Sequence, residues 1–124
     1  MTPDTSPRQF TPADIKRFRS NLKDEVDGAA LYRLLEAAES DPHLKTLYGK
    51  LAINEDKHLD LWQAKLREAG APVPDFKPSM RVRFIGWLAR RFGTEAVSPI
   101  VTRMENAAVS MYDTQPEAVE HNLP

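Results

Sequence analysis

Glu55 and His58 stand three residues apart in the run Glu55-Asp56-Lys57-His58. On a helix that spacing sets both side chains on one face, one turn apart. A carboxylate oxygen beside an imidazole nitrogen suits a hard or borderline divalent cation, iron or manganese for instance. The pair also falls where apolar residues belong. Stepping from Leu44 through Tyr48 and Leu51 by threes and fours reaches Glu55, then His58, then Trp62. An acid and an imidazole therefore occupy two positions of a core-facing stripe. An unpaired buried carboxylate is costly, so the pattern asks for a neutralising cation. Two further acids hold comparable positions: Glu25 lies between Leu22 and Ala29, and Glu105 between Val101 and Ala108. Tyr32 and Tyr112 follow them two turns on, where a hydroxyl can hydrogen-bond to a metal ligand.

The same residues admit a cation-free reading. Glu55 is then a solvated edge residue beside Asp56 and Lys57, His58 a hydrogen-bonded core histidine, and Glu25 part of an acidic face with Asp24 and Asp27. Glu36, Glu39, His43 and His121 read as exposed.

Prolines show which elements must position these groups. Pro-free windows cover 13–41, 43–71, 79–98 and 100–115, and proline is tolerated only at the start of a helix. Thr11-Pro12-Ala13-Asp14 and Asp41-Pro42 read as capped helix starts, Ser79 as a third cap, and Gly70 and Gly93 as stops. The predicted helices span about 12–40, 42–69, 79–92 and 95–113. Apolar stripes support them: Leu22, Val26, Ala29, Ala30, Leu34 and Leu35 in the first, and Val97, Val101, Met104, Ala108 and Met111 in the last. Residues 71–79 form a stiff, proline-rich connector, and Thr114-Gln115-Pro116-Glu117 reads as one more helix start. No alternating pattern suggests a strand. The expected fold is all-α, one domain over 11–118 with frayed ends at 1–10 and 119–124.

Composition narrows the chemistry. The 124 residues carry 17 Lys+Arg against 18 Asp+Glu, a net charge of −1, which argues against nucleic-acid binding. Cysteine is absent, excluding disulfides, thiolate zinc sites, iron–sulfur clusters and a Cys nucleophile. Any metal must be held by carboxylates and the three histidines. With a polar N-terminus and no apolar run near ~18 residues, a cytoplasmic location is expected. The segment Met80–Phe92 alternates four arginines with bulky apolar residues. Such a helix can lie on an anionic membrane surface at the cytoplasmic face, or pack on the bundle with its arginines solvated.

The run Asn21-Leu22-Lys23-Asp24-Glu25-Val26-Asp27-Gly28-Ala29-Ala30-Leu31-Tyr32, with Leu47-Tyr48 and Glu55-Asp56-Lys57-His58, resembles the rubrerythrin-like branch of the ferritin-like superfamily. It looks most like the ferritin-like domain fused to membrane transporters of the vacuolar iron transporter family. Trp87-Leu88-Ala89-Arg90-Arg91-Phe92-Gly93, Glu105, Tyr112 and Gln115-Pro116-Glu117-Ala118 are similar to that subgroup, so the resemblance spans 15–118. It implies a di-iron carboxylate site in an antiparallel helix bundle, with manganese or zinc as substitutes. Glu25 would be a first-helix ligand, Glu55 would bridge the metals, His58 would bind one, and Glu105 would be the third-helix ligand; Glu25, Glu55 and His58 would carry the catalysis. Tyr32 and Tyr112 would tune the site.

Two features depart from the family pattern. The cysteine-rich rubredoxin module of rubrerythrins is absent, and no second Glu-x-x-His follows Glu117, since Glu120-His121 has the wrong spacing. A full site takes one Glu from each of two helices and a Glu-x-x-His from each of the other two. The bundle is therefore expected either to lack its last helix, as a truncated domain, or to close by homodimerisation through its first two helices. The latter is the arrangement of short encapsulated ferritins, whose helix spacing this chain resembles. The expected function is iron binding with Fe(II) oxidation or peroxide reduction, or delivery of iron to a transporter. The alternative is a metal-free helical interaction or membrane-surface domain.

Overall fold

The computed structural model describes residues 10–112 and 115–117, the side chains of 111 and 112 apart. Among them all regular structure is helical: α1 (Pro12–Ala38), α2 (Pro42–Glu68), α3 (Met80–Phe92), a 3₁₀ turn (Thr94–Val97) and α4 (Ser98–Tyr112). The start signals act as expected. Thr11 and Asp14 exchange side chain-to-backbone bonds in a capping box, the Asp41 carboxylate accepts from the His43 and Leu44 amides, and Ser79 accepts from Val82. Such caps satisfy amides that the helix itself leaves unbonded.

The boundaries shift where side chains redirect the backbone. α1 stops at Ala38 rather than 40, because Glu39 turns extended. Its carboxylate then takes the Asp41 amide and the Thr94 hydroxyl, tying the α1–α2 link to the 3₁₀ turn. Glu39 is thus half-buried and bonded, against the exposed position expected. Gly93, at φ +95°, makes a bend that only glycine takes freely. The helix expected from 95 consequently begins at Ser98, and Val97 is buried from within the preceding turn.

Side-chain pairings give the topology. α1 and α2 form an antiparallel hairpin, with Arg33 opposite Asp56 and Phe18 against Trp62. α3 runs parallel to α1, since the Ser79 amide donates to Asp27 at 2.8 Å and Gly86 lies under Leu34. A Cβ at Gly86 would sit 2.6 Å from Leu34 Cδ1, so glycine sets that close approach. α4 returns antiparallel to α1, from Tyr32 bonded to Glu105, down to Gln115 against Asn21 and Glu117 against Arg17. The order is up-down-up-down, with α1 central.

The core is divided. Phe18, Leu22, Trp62 and Leu66 fill one end, joined by Val73 and Phe76 of the extended connector. Leu31, Tyr32, Leu35 and Ala52 fill the other, together with Val82, Ile85, Ala89 and Val97. Between the two clusters in sequence, on the same buried faces, lie Glu25 of α1 and His58 of α2.

Two expectations are corrected. Leu44 and Leu47 do not join the core: they are 42% and 47% exposed. α3 packs on α1, and α4 follows the 3₁₀ turn, which leaves the outer flank of α2 uncovered. Phe10, placed in a frayed tail, packs edge-on against Phe18 with ring centroids 5.4 Å apart. Within the helix start expected at 114–117, Gln115 and Glu117 dock on α1: Asn21 and Gln115 exchange amide hydrogen bonds, and Arg17 grips buried Glu117 at 2.6 and 3.1 Å. Residues 1–9 and 118–124, His121 included, lie outside the described residues.

Trp62 is wholly buried and stacks on Phe18 at 5.8 Å. Trp62→Ala is expected to lower stability by about 3–5 kcal/mol, through lost burial plus the cavity left behind, in urea unfolding followed by circular dichroism.

Candidate metal centre

The α1–α2 hairpin brings together three residues predicted as ligands. Glu25 projects from the middle of α1; Glu55 and His58, one turn apart, project from α2. His58 Nδ1 lies 3.4 Å from Glu25 Oε2 and 3.7 Å from Glu55 Oε2. One ligand atom from each of the three falls within 4.8 Å of the others, a grouping that can hold a metal ion. Glu25 and His58 are buried and Glu55 half-buried. Gly28, one turn beyond Glu25, makes room for the third ligand. A Cβ there would approach Glu55 Oε2 to 3.1 Å, so any larger residue presses on the carboxylate. Sequence reading quoted Gly28 but gave it no role, because the space it provides belongs to a residue of another helix.

Burial acts against the charges of Glu55 and His58, yet the partners win. Burial alone would push the Glu55 carboxyl up; bonds to His58 and Glu25 and the nearby imidazolium outweigh it and hold it below its ordinary value. Burial alone would push His58 down, but Glu25 and Glu55 raise it from 6.5 to about 9. At neutral pH the imidazole therefore carries a proton between two carboxylates. That proton supplies a neutralising cation, so a bound metal is not the sole way to tolerate the buried acids. A metal using Nδ1 must displace it.

Glu105 occupies a related but separate place. It lies outside the three-residue grouping and accepts a hydrogen bond from the Tyr32 hydroxyl. Burial, and then the bond to Glu105, push the Tyr32 hydroxyl well above its ordinary range, keeping it a donor. Tyr32 stacks on Tyr48 at 6.4 Å, which fixes its ring. Both Tyr32 and Glu105 line the cavity beside Glu25 and Glu55, a space of about 290 Å³. Its wall holds Asp24, Glu25, Asp27, Glu55 and Glu105 against a single arginine, Arg81. This excess of acid favours a cation over an anion. The side chain of Tyr112 lies outside the described residues. Of the acids expected to be solvated, Glu36 is half-buried with its carboxylate over Gly49, whereas His43 is exposed as expected.

Comparison with known proteins adds no assignment: no family model, curated protein or solved structure matches this chain.

The His58 shift has a definite sign in metal-free protein. A folded-state value of about 9 above the ordinary 6.5 means its contribution to stability is complete below pH 6.5. That contribution is lost as pH rises through 9. Thermal unfolding in chelator is expected to show a midpoint falling across that window. His58→Gln should flatten the fall, read by circular dichroism across the pH series.

Proposed function

We propose that this chain is an iron-binding, ferritin-like domain whose Glu25, Glu55 and His58, with Glu105 across the cavity, hold a carboxylate-rich iron centre. The observation that carries this reading is a buried imidazole facing carboxylates from two helices at the wall of an acid-lined cavity. The donor set is two carboxylates and one imidazole, with a third carboxylate held nearby by Tyr32. That mixture of oxygens and nitrogen, without sulfur, suits Fe(II), with manganese or zinc as competitors. Bound iron supplies redox chemistry that these side chains lack, and oxidation of Fe(II) is the expected activity.

The protein groups have distinct tasks. Glu25 and Glu55 provide the negative charge that draws in a divalent ion, and His58 releases its proton as the ion arrives. Tyr32 orients Glu105 toward the cavity.

A two-metal centre needs a second Glu-x-x-His, which one copy of these residues does not supply. We propose that a second copy supplies it, related by a two-fold axis and packed through α1 and α2. The uncovered flank of α2 supports this, since Leu44, Leu47 and Ile53 leave apolar surface open beside the ligand-bearing helix. Delivery of iron to a membrane transporter is a further role open to such a domain.

Anaerobic Fe(II) dialysis combined with analytical sedimentation tests the proposal. One iron per chain and a dimer mass are expected, and oxygen uptake should follow admission of air. The paired substitution Glu55→Ala and His58→Ala should abolish iron binding, and adding Glu25→Gln should keep the metal-free protein folded, because the imidazole is then removed together with the buried charge it neutralises. A chain that stays monomeric and binds no iron in excess Fe(II) overturns the assignment.

Gly28 offers a subtler check. Gly28→Val crowds the Glu55 carboxylate and is expected to weaken Co(II) binding on the order of tenfold, as displaced ligand support commonly does. Optical titration of the cobalt bands would measure it.

A further inference from the structure

α3 carries two apolar faces, and only one is used. Val82, Ile85, Gly86 and Ala89 are buried on the bundle side. On the opposite side Met80, Phe84 and Trp87 follow at steps of four and three, forming an outward ridge. Phe84 stacks on Trp87 at 6.1 Å, and Phe92 meets Trp87 edge-on at 6.3 Å, so the aromatic surface is continuous. Trp87 is 55% exposed and Phe92 62% exposed.

Arginines surround this ridge. The helical period puts Arg81 on one side and Arg83 and Arg90 on the other, while Arg91 continues the ridge and lies over the Phe92 ring at 5.4 Å. All four are exposed, and among the described residues none forms an ion pair. The thirteen residues of α3 include no acid, although acids outnumber bases in the whole chain. Four arginines, with no acid among them, thus stand beside an exposed aromatic surface.

We propose that the outer face of α3 docks on an anionic lipid surface, with Phe84 and Trp87 entering the headgroup layer and the arginines meeting lipid phosphates. Charge complementarity favours this occupant. A second copy seated two-fold on the same face would set four arginines against four. A nucleic-acid duplex would meet the same arginines but offers no hydrocarbon layer to take up Met80, Phe84 and Trp87. A basic helix with Trp and Phe on one face is the composition that lies in the plane of a bilayer surface. No described helix is long and apolar enough to cross a membrane, so the contact is peripheral. The iron proposal plays no part in this inference.

Vesicles of equal parts phosphatidylcholine and phosphatidylglycerol, compared with phosphatidylcholine alone, provide the test. The protein should co-sediment with the anionic vesicles only, and less so as salt rises. Trp62 is 0% exposed and Trp87 55%, so a blue shift of tryptophan emission on binding reports Trp87. Trp87→Phe should abolish that shift. The paired substitution Arg90→Glu and Arg91→Glu should weaken partitioning roughly tenfold or more, with the far-ultraviolet spectrum unchanged. Absence of sedimentation with anionic vesicles overturns the proposal. So does equal binding to both vesicle types, an emission shift that survives Trp87→Phe, or preferential capture of a homopolymeric oligonucleotide at the same salt.

Discussion

A buried carboxylate, Glu25, and a half-buried one, Glu55, require a positive charge between them, and much else in this structure follows from how that requirement is met. Glu25 and Glu55 approach from adjacent helices, and His58 stands between them. In the absence of a metal the cation is a proton on Nδ1, retained to about pH 9 by the two acids. A divalent ion would take the same place and add a charge. Proton and metal are therefore competitors for one position, and metal uptake at this centre is coupled to proton release. The cavity beside the cluster extends this logic, since the charged residues of its wall are five acids and one arginine.

The framework keeps this polar layer from weakening the fold. Each side of it has its own apolar cluster, one around Phe18 and Trp62, the other around Leu31, Tyr32 and Val82. α1 passes through both and packs against α2 and α3, with Tyr32 reaching Glu105 of α4. Gly28 and Gly86 permit close approach at two points on this framework, the first beside a carboxylate and the second beneath Leu34. The Arg17–Glu117 pair and the Asn21–Gln115 amides fasten the returning chain to α1.

Much of this was legible in the residue pattern, for identifiable reasons. Helix starts were readable because proline and a capping side chain act locally, as at Thr11 and Asp41. Glu25, Glu55 and His58 stood out because charge interrupted an apolar period, and the structure groups them. Leu44 and Leu47 were misplaced for the converse reason: periodicity shows which face is apolar, not whether anything covers it. Glu39 and Glu117 could not be placed, since their partners Thr94 and Arg17 lie 55 and 100 residues away. The neutralising role of His58 toward its neighbours was likewise hidden. Spacing shows that an imidazole is near a carboxylate on its own helix, not that a second acid reaches it from across the hairpin.

A hairpin of two long helices held by grease alone can slide by a turn at little cost, because one leucine replaces another. The charged layer removes that freedom. Moving α2 one turn along α1 would set Glu25 opposite Trp62, stranding an acid against hydrocarbon, or opposite Glu55, setting acid against acid. Each misaligned arrangement thus carries an electrostatic penalty that the native one escapes. Glu25 and His58 serve, before any ligand arrives, as the alignment mark that selects one pairing of the two helices.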